Sequence, residues 1–316
     1  MNRWFKLIAA LGVATSLAAC GGGDDDHPAP GNIVEVAKAN GFTALTAAAT
    51  KAGLVSALTD SKASLTVFAP TDAAFGALAK QLGFADATAM VTALPASALA
   101  SILTYHVLPT KKTAADLTAG GATQATLYSF GEAPTTLKLA TTAGVSITDA
   151  ALTSAKVVTA DVAASNGVIH AIDKVLIPPG VLNVVQMAQV NPLFTTLVGA
   201  VVSANLQGTL SGAGPFTVFA PTNDAFAAIQ ATVASLTTAQ LSKVLTYHVL
   251  PSQVLAANIP FGTPVATVEG EKITINAGTP PTITDTTATK ASIVATDVRA
   301  SNGVIHVIGK VLIPTL

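Results

Sequence analysis

TVFAPTDAAF occupies residues 66–75 and returns as TVFAPTNDAF at 217–226, identical at eight of ten positions. Leu65 to Ala69 is a short apolar run carrying a β-branched residue and an aromatic, the pattern of a buried strand. Pro70 stops it. Thr71 and Asp72 then offer side-chain oxygens to the free amides of a following helix, and Thr222, Asn223 and Asp224 do the same in the second occurrence. Position 72 is Asp where its partner 223 is Asn. A helix cap survives that exchange and a general acid or base does not, so these positions read as structural.

Working outward, LTYHVLP (103–109) recurs unchanged at 245–251. ASNGVIHAIDKVLIP (164–178) recurs as ASNGVIHVIGKVLIP (300–314), identical at thirteen of fifteen positions. The second copy is shorter between the blocks, as expected of surface loops. The chain is therefore one unit written twice: 32–178 and 181–316, joined at Pro178-Pro179-Gly180. Helical patterning opens each copy, at Ile33–Ala37 and over Phe42–Leu58, and Pro95 begins a further helix through about Leu103. Strands follow at 125–128, 136–140, 145–147, 155–162 and 168–172. Asn166-Gly167 and Asn302-Gly303 are hairpin signals, because both residue types tolerate positive φ. Helices first and strands later predict an α+β fold with a mainly antiparallel sheet or sandwich.

The 316 residues suit two domains. Half are hydrophobic and 10% charged, with a net charge of −1, which argues against intrinsic disorder and against nucleic acid as a partner. The first residues read as an address. Arg3 and Lys6 precede the uncharged run Leu7–Ala19, too short to span a bilayer and matching a secretory signal. It ends in Leu17-Ala18-Ala19-Cys20, which resembles the lipobox of bacterial lipoproteins. That resemblance implies a leader at 1–19, lipidation of Cys20 (the only Cys) and a membrane partner through the lipid. Residues 20–31, rich in Gly, Asp and Pro, read as a solvated tether. Gly21 rather than Asp after the Cys resembles an outer-membrane sorting signal, so the expected location is exported and outer-membrane anchored. The charge-free run from Val175 to Asn223 is broken by Pro, Asn, Gln and Gly, and does not read as a membrane span.

The three blocks, in this order and twice over, resemble the fasciclin domain across nearly all of 32–316. The resemblance implies two tandem fasciclin-like domains, each a wedge-shaped β-sandwich with a helical bundle packed against it, in a family associated with cell adhesion and surface display. In animal members the residues around the Tyr-His motif are implicated in integrin binding. That points to Tyr105, His106, Tyr247 and His248 as a candidate recognition motif, although no Arg-Gly-Asp is present. The competing reading places these four in a buried polar network.

Enzyme signatures are missing from the sequence: there is no G-x-S-x-G, H-E-x-x-H or P-loop. His170 shares a strand face with Val168 and Ile172 and reads as a buried, hydrogen-bonded core residue, as does His306. Asp161 and Asp297 precede the Asn-Gly pairs by five residues and are expected to bond turn amides. Pairing His106 with His170, or His248 with His306, would give a metal only two ligands; no metal site and no cofactor are expected. The reading is a non-enzymatic, lipid-anchored surface protein making adhesive or matrix contacts, self-association included, with the macromolecular partner unspecified. One alternative is a module binding a small apolar ligand or lipid between helices and sheet; another is a hydrolase with an unrecognised His/Asp site.

Overall fold

The computed structural model describes residues 30–142 and 144–316. The expected leader, Cys20 and the tether up to residue 29 lie outside the described residues.

The first copy runs α1 (Ile33–Ala39), α2 (Thr43–Lys51), α3 (Val55–Leu58), β1 (Leu65–Pro70), α4 (Asp72–Gln81), α5 (Ala87–Ala93), α6 (Ala96–Tyr105), β2 (Val107–Leu108), α7 (Ala114–Ala119), β3 (Thr123–Phe130), β4 (Ala133–Ala140), β5 (Ser146–Thr148), β6 (Ser154–Ala164) and β7 (Gly167–Ile172). The second repeats it with α8 (Val184–Val190), α9 (Thr195–Ser203), α10 (Gln207–Ser211), β8 (Phe216–Pro221), α11 (Asn223–Ala227), α12 (Gln230–Ser235), α13 (Thr238–Tyr247), β9 (Val249–Leu250), β10 (Pro264–Ala266), β11 (Lys272–Asn276), β12 (Thr282–Thr284), β13 (Ala291–Ala300) and β14 (Gly303–Ile308). Residue patterning anticipates most of the first copy but not α5 or α7.

Each copy holds one seven-stranded sheet, ordered β2-β1-β7-β6-β5-β4-β3 in the first and β9-β8-β14-β13-β12-β11-β10 in the second. Neighbours pair antiparallel except β1 with β7 and β8 with β14, which are parallel. The order places β1 inside the sheet, and both its faces are covered. Phe68 points into the curled sheet with Tyr105, Leu137 and Ile147, while Val67 and Ala69 face the helices. That double burial is why the strand reads as a continuous apolar run rather than an alternation. A register shift in β6 between Thr159 and Val162 puts Asp161 at φ +60, and Asp297 repeats it at φ +60 in β13. Such bulges bend a strand and add twist, here where the sheet curls.

The copies are packed together. Side chains of α4 and α5 belong to the same apolar core as Val184, Met187 and Val190 of α8. Asn191 donates from Nδ2 to the Ala151 carbonyl at 2.7 Å, and both residues are buried. At the joint, the Tyr128 hydroxyl donates to the Pro179 carbonyl at 3.0 Å, and the Arg299 guanidinium lies 5.7 Å from the Phe130 ring centre. Gly180 has φ +78, and a Cβ there would fall 2.1 Å from the Phe130 ring. Only glycine meets both the backbone and the steric demand. The charge-free run of the sequence folds into α8 to β8, and no single helix among the described residues is long and apolar enough to cross a membrane.

Candidate functional site: the paired Tyr-His motifs

α6 ends at Tyr105 and His106 caps it, so the motif turns the chain from helix into β2. The His106 ring is fully enclosed. Nδ1 donates to the Ile102 carbonyl at 2.7 Å, one helical turn back. Nε2 accepts from the Leu176 amide at 2.8 Å, in the segment that follows β7. His248 repeats this with the Val244 carbonyl at 2.7 Å and the Leu312 amide at 2.8 Å. Each imidazole thus ties a helix end to the last block of its copy, with one nitrogen as donor and the other as acceptor, which requires the neutral ring. Burial enforces that state and pushes both histidines down to about 4.

Tyr105 and Tyr247 are equally enclosed, at 1% and 0% exposure. The Tyr247 hydroxyl donates to the Lys272 carbonyl at 3.1 Å, and burial raises it to about 12. Tyr105 is raised further, first by burial and then by the charge of Asp149; its ring meets that of Tyr128 edge-on at 6.1 Å. None of the four motif residues presents a surface. The reading of Tyr105, His106, Tyr247 and His248 as a recognition motif is therefore corrected in favour of the competing one, which buries them: the helix-to-strand corner is roofed by the segment after β7, some 70 residues downstream.

The other singled-out residues are also joints between distant segments. The Thr71 hydroxyl caps α4 through the Ala74 amide at 3.2 Å, and Thr222 caps α11 through the Ala225 amide at 3.3 Å. Asp72 does not join in, contrary to the expectation. Its carboxylate accepts instead from the Ala44 amide at 2.8 Å, in the first turn of α2, a helix whose own N-cap, Phe42, has no side-chain oxygen to offer. Asn223 serves α9 in the same way, accepting from the Thr196 amide at 3.0 Å while donating to the Pro192 carbonyl.

Asp161 and Asp297 accept from the amides of Ala114 and Ala256 at 2.8 and 2.9 Å. They thereby pin the segment after β2 or β9, not the Asn-Gly turn, which corrects the second expectation. His170 and His306, buried in β7 and β14, accept at Nδ1 from the Asp161 and Asp297 amides. Through Nε2 they bond the Lys112 and Val254 carbonyls.

The Asn-Gly pairs are displaced by one residue from their expected role. The turn falls on Ser165-Asn166, and Gly167 already belongs to β7. Glycine is needed there because a Cβ would sit 2.3 Å from the Leu65 carbonyl oxygen, and at Gly303 2.3 Å from that of Phe216. The Asn166 side chain accepts from the Ile33 amide and donates to the carbonyls of Leu58 and Asp60. Asn302 repeats that set on Val184, Leu210 and Gly212.

The fasciclin-domain profile matches residues 40–178 and 192–314. The chain belongs to the fasciclin family. This fasciclin chain is 46% identical over 142 residues to Protein sll1483 of Synechocystis sp., a match covering 43% of the chain and 75% of that protein. It is 37% identical over 164 residues to transforming growth factor-beta-induced protein ig-h3 of Sus scrofa, covering 51% of the chain and 23% of that protein. A FAS1 domain pair from the insect cell adhesion molecule fasciclin I aligns over 89% of the chain and 95% of its own length, at 17% identity and a TM-score of 0.42.

Sequence reasoning missed one pair of buried carboxylates in the fasciclin repeats. Asp149 accepts from the Ala151, Thr153 and Ile177 amides and from the Thr153 hydroxyl, all within 3.0 Å. No cation among the described residues joins them, and burial pushes the carboxyl up to about 6. Asp285 holds the matching place, accepting from Ile313, Thr287 and the Lys310 ammonium, the last at 2.7 Å. Despite burial, Lys310 and the Thr287 bonds hold it below its ordinary value. The signal was present: Ile-Thr-Asp recurs at 147–149 and 283–285. Among the described residues, no group of three or more His, Cys, Asp or Glu is placed to hold a metal.

Proposed function

We propose that this is a lipid-anchored, non-enzymatic surface protein whose two fasciclin domains make adhesive or matrix contacts. Fasciclin domains occur in extracellular and adhesion proteins. The observation that carries the reading is the full internal commitment of the motif histidines: each ring nitrogen of His106, His170, His248 and His306 is hydrogen bonded to the chain's own backbone. An acid-base catalyst needs a titratable group free to meet a substrate, and these are not. Contact is left to the outer surface, which carries few charges to repel a second copy. The lipobox-like Leu17-Ala18-Ala19-Cys20 supplies the anchor, and many copies on one membrane would add avidity to weak contacts.

The test is to coat beads with the protein from Asn32 onward at controlled density. Clustering of coated beads with one another indicates homophilic contact, and attachment to cells or matrix polymer indicates a separate receptor. Folded protein that does neither would remove the proposal's support. Cys20→Ala, followed by membrane fractionation, tests the anchor: the variant is expected in the soluble fraction.

A further inference from the structure

Between α1, α2, α3, α6 and the helix-facing side of β1 and β7 lies a cavity of about 160 Å³. Ile33, Leu45, Ala49, Val67, Leu103 and Ile169 form much of its wall. Leu127 of β3 also lines it and is 46% exposed, which marks where the cavity meets solvent. Three lining residues carry polar side-chain atoms, and all are occupied. Thr46 donates to the Thr43 carbonyl, Thr104 to the Ala100 carbonyl, and His106 uses both ring nitrogens on backbone.

A water in such a space lacks the two to four polar partners it needs, and an aliphatic cavity of about this volume in another protein stays dry and takes up benzene or xenon. A charged or strongly polar guest would lose hydration with nothing to replace it.

The second copy has the same space closed down to about 40 Å³. Its equivalent of Ala49 is Val201 and its equivalent of Thr46 is Val198. The register follows from the shared helix caps, Asp72 on the Ala44 amide and Asn223 on the Thr196 amide. We propose that the first domain is a binding site for a small, uncharged, apolar molecule of about single-ring size, held between helices and sheet, and that Val201 helps close the matching site in the second. This goes beyond the adhesive role and does not depend on it.

Benzene titrated into the full-length chain with labelled Ile, Leu and Val methyls tests it. Saturable shifts are expected at Ile33 and Ile169 and not at Ile305. Ala49→Val, which installs the second copy's own residue, should weaken binding roughly tenfold or more, and Val201→Ala should bring saturable shifts to Ile305. Absence of saturable shifts at Ile33 and Ile169, or shifts unchanged by Ala49→Val, would overturn the proposal. If Ala49→Val fails to fold, Val201→Ala decides: no gain at Ile305 overturns the assignment.

Discussion

The two copies share a sheet order, a set of caps and a pair of neutral histidines, yet they solve one problem in opposite ways. Each buries a carboxylate after an Ile-Thr-Asp triplet. The first copy leaves Asp149 with amide and hydroxyl donors alone, and its carboxyl rises to about 6. The second gives Asp285 a lysine, and its carboxyl falls. The difference is not in the lysine's presence, since Lys174 stands where Lys310 does; Lys174 is exposed, while Lys310 folds onto the carboxylate. The first copy's loop is instead roofed by the second copy, through Asn191 on Ala151. A duplicated sequence thus acquires unlike electrostatics at matching positions.

The strongest way to break this comparison is Lys310→Met. It leaves Asp285, whose side chain has no exposure, without its cation. Removing one partner of a buried pair costs about 3 kcal/mol at the low end, the end that applies here because Lys310 is itself partly exposed. Calorimetry at neutral pH should show the loss, and the Asp285 carboxyl should rise toward the behaviour of Asp149, readable by carboxyl NMR.

Acid separates the copies next. His106 and His248 have folded values near 4 against an ordinary 6.5. The stability they lend is whole above 6.5 and is lost as pH falls through about 4. Asp149 runs the other way, because its folded value of about 6 lies above the ordinary 3.8. Its contribution is whole below 3.8 and is lost as pH rises through 6. Between pH 7 and 4 the two nearly cancel in the first copy. The second has no such offset: His306 is lowered too, and Asp285, also lowered, loses its contribution only as pH falls below 3.8. We expect the second copy to lose roughly 3 kcal/mol over that range and the first much less. Hydrogen exchange at the Ile169 and Ile305 amides would report each separately.

A smaller effect tests the roof. Asn191→Ala leaves the buried Ala151 carbonyl unpaired and should cost about 1–2 kcal/mol. Its repeat partner Asn40 is exposed, and Asn40→Ala should change stability by less than about 0.5 kcal/mol. The smallest effects belong to the shared cap. Asp72→Asn should be nearly silent in thermal melts, whereas Asp72→Ala should cost about 1 kcal/mol; Asn223→Asp keeps the Thr196 bond but loses the donor to the Pro192 carbonyl, and should also cost about 1 kcal/mol.

The repeat, the α+β class and the strands of the second half were legible because they are local: apolar runs, prolines and caps sit side by side in the chain. What was not legible is carried by contacts across long loops. The parallel pairing of β1 with β7 joins residues about a hundred apart. Asp72 looks like a cap for the helix it begins and serves another one 28 positions earlier. Asp161 looks like a turn residue and pins a segment 47 positions away. The Tyr-His corner reads either as a recognition motif or as a buried network, and the Leu176 amide decides for burial. In each case the residue type announced a hydrogen bond, and only the fold could name the partner.

That parallel pairing also sets when each copy can be finished. β1 and β8 are made early, but their neighbours β7 and β14 are the last strands of their copies, and the amides that complete His106 and His248 come later still. Long loops must close before these contacts reward the chain. During synthesis, then, each half waits, with an apolar strand bare on one edge, until its closing block arrives. The first half must wait longer for its roof, which is built from the opening helix of the second.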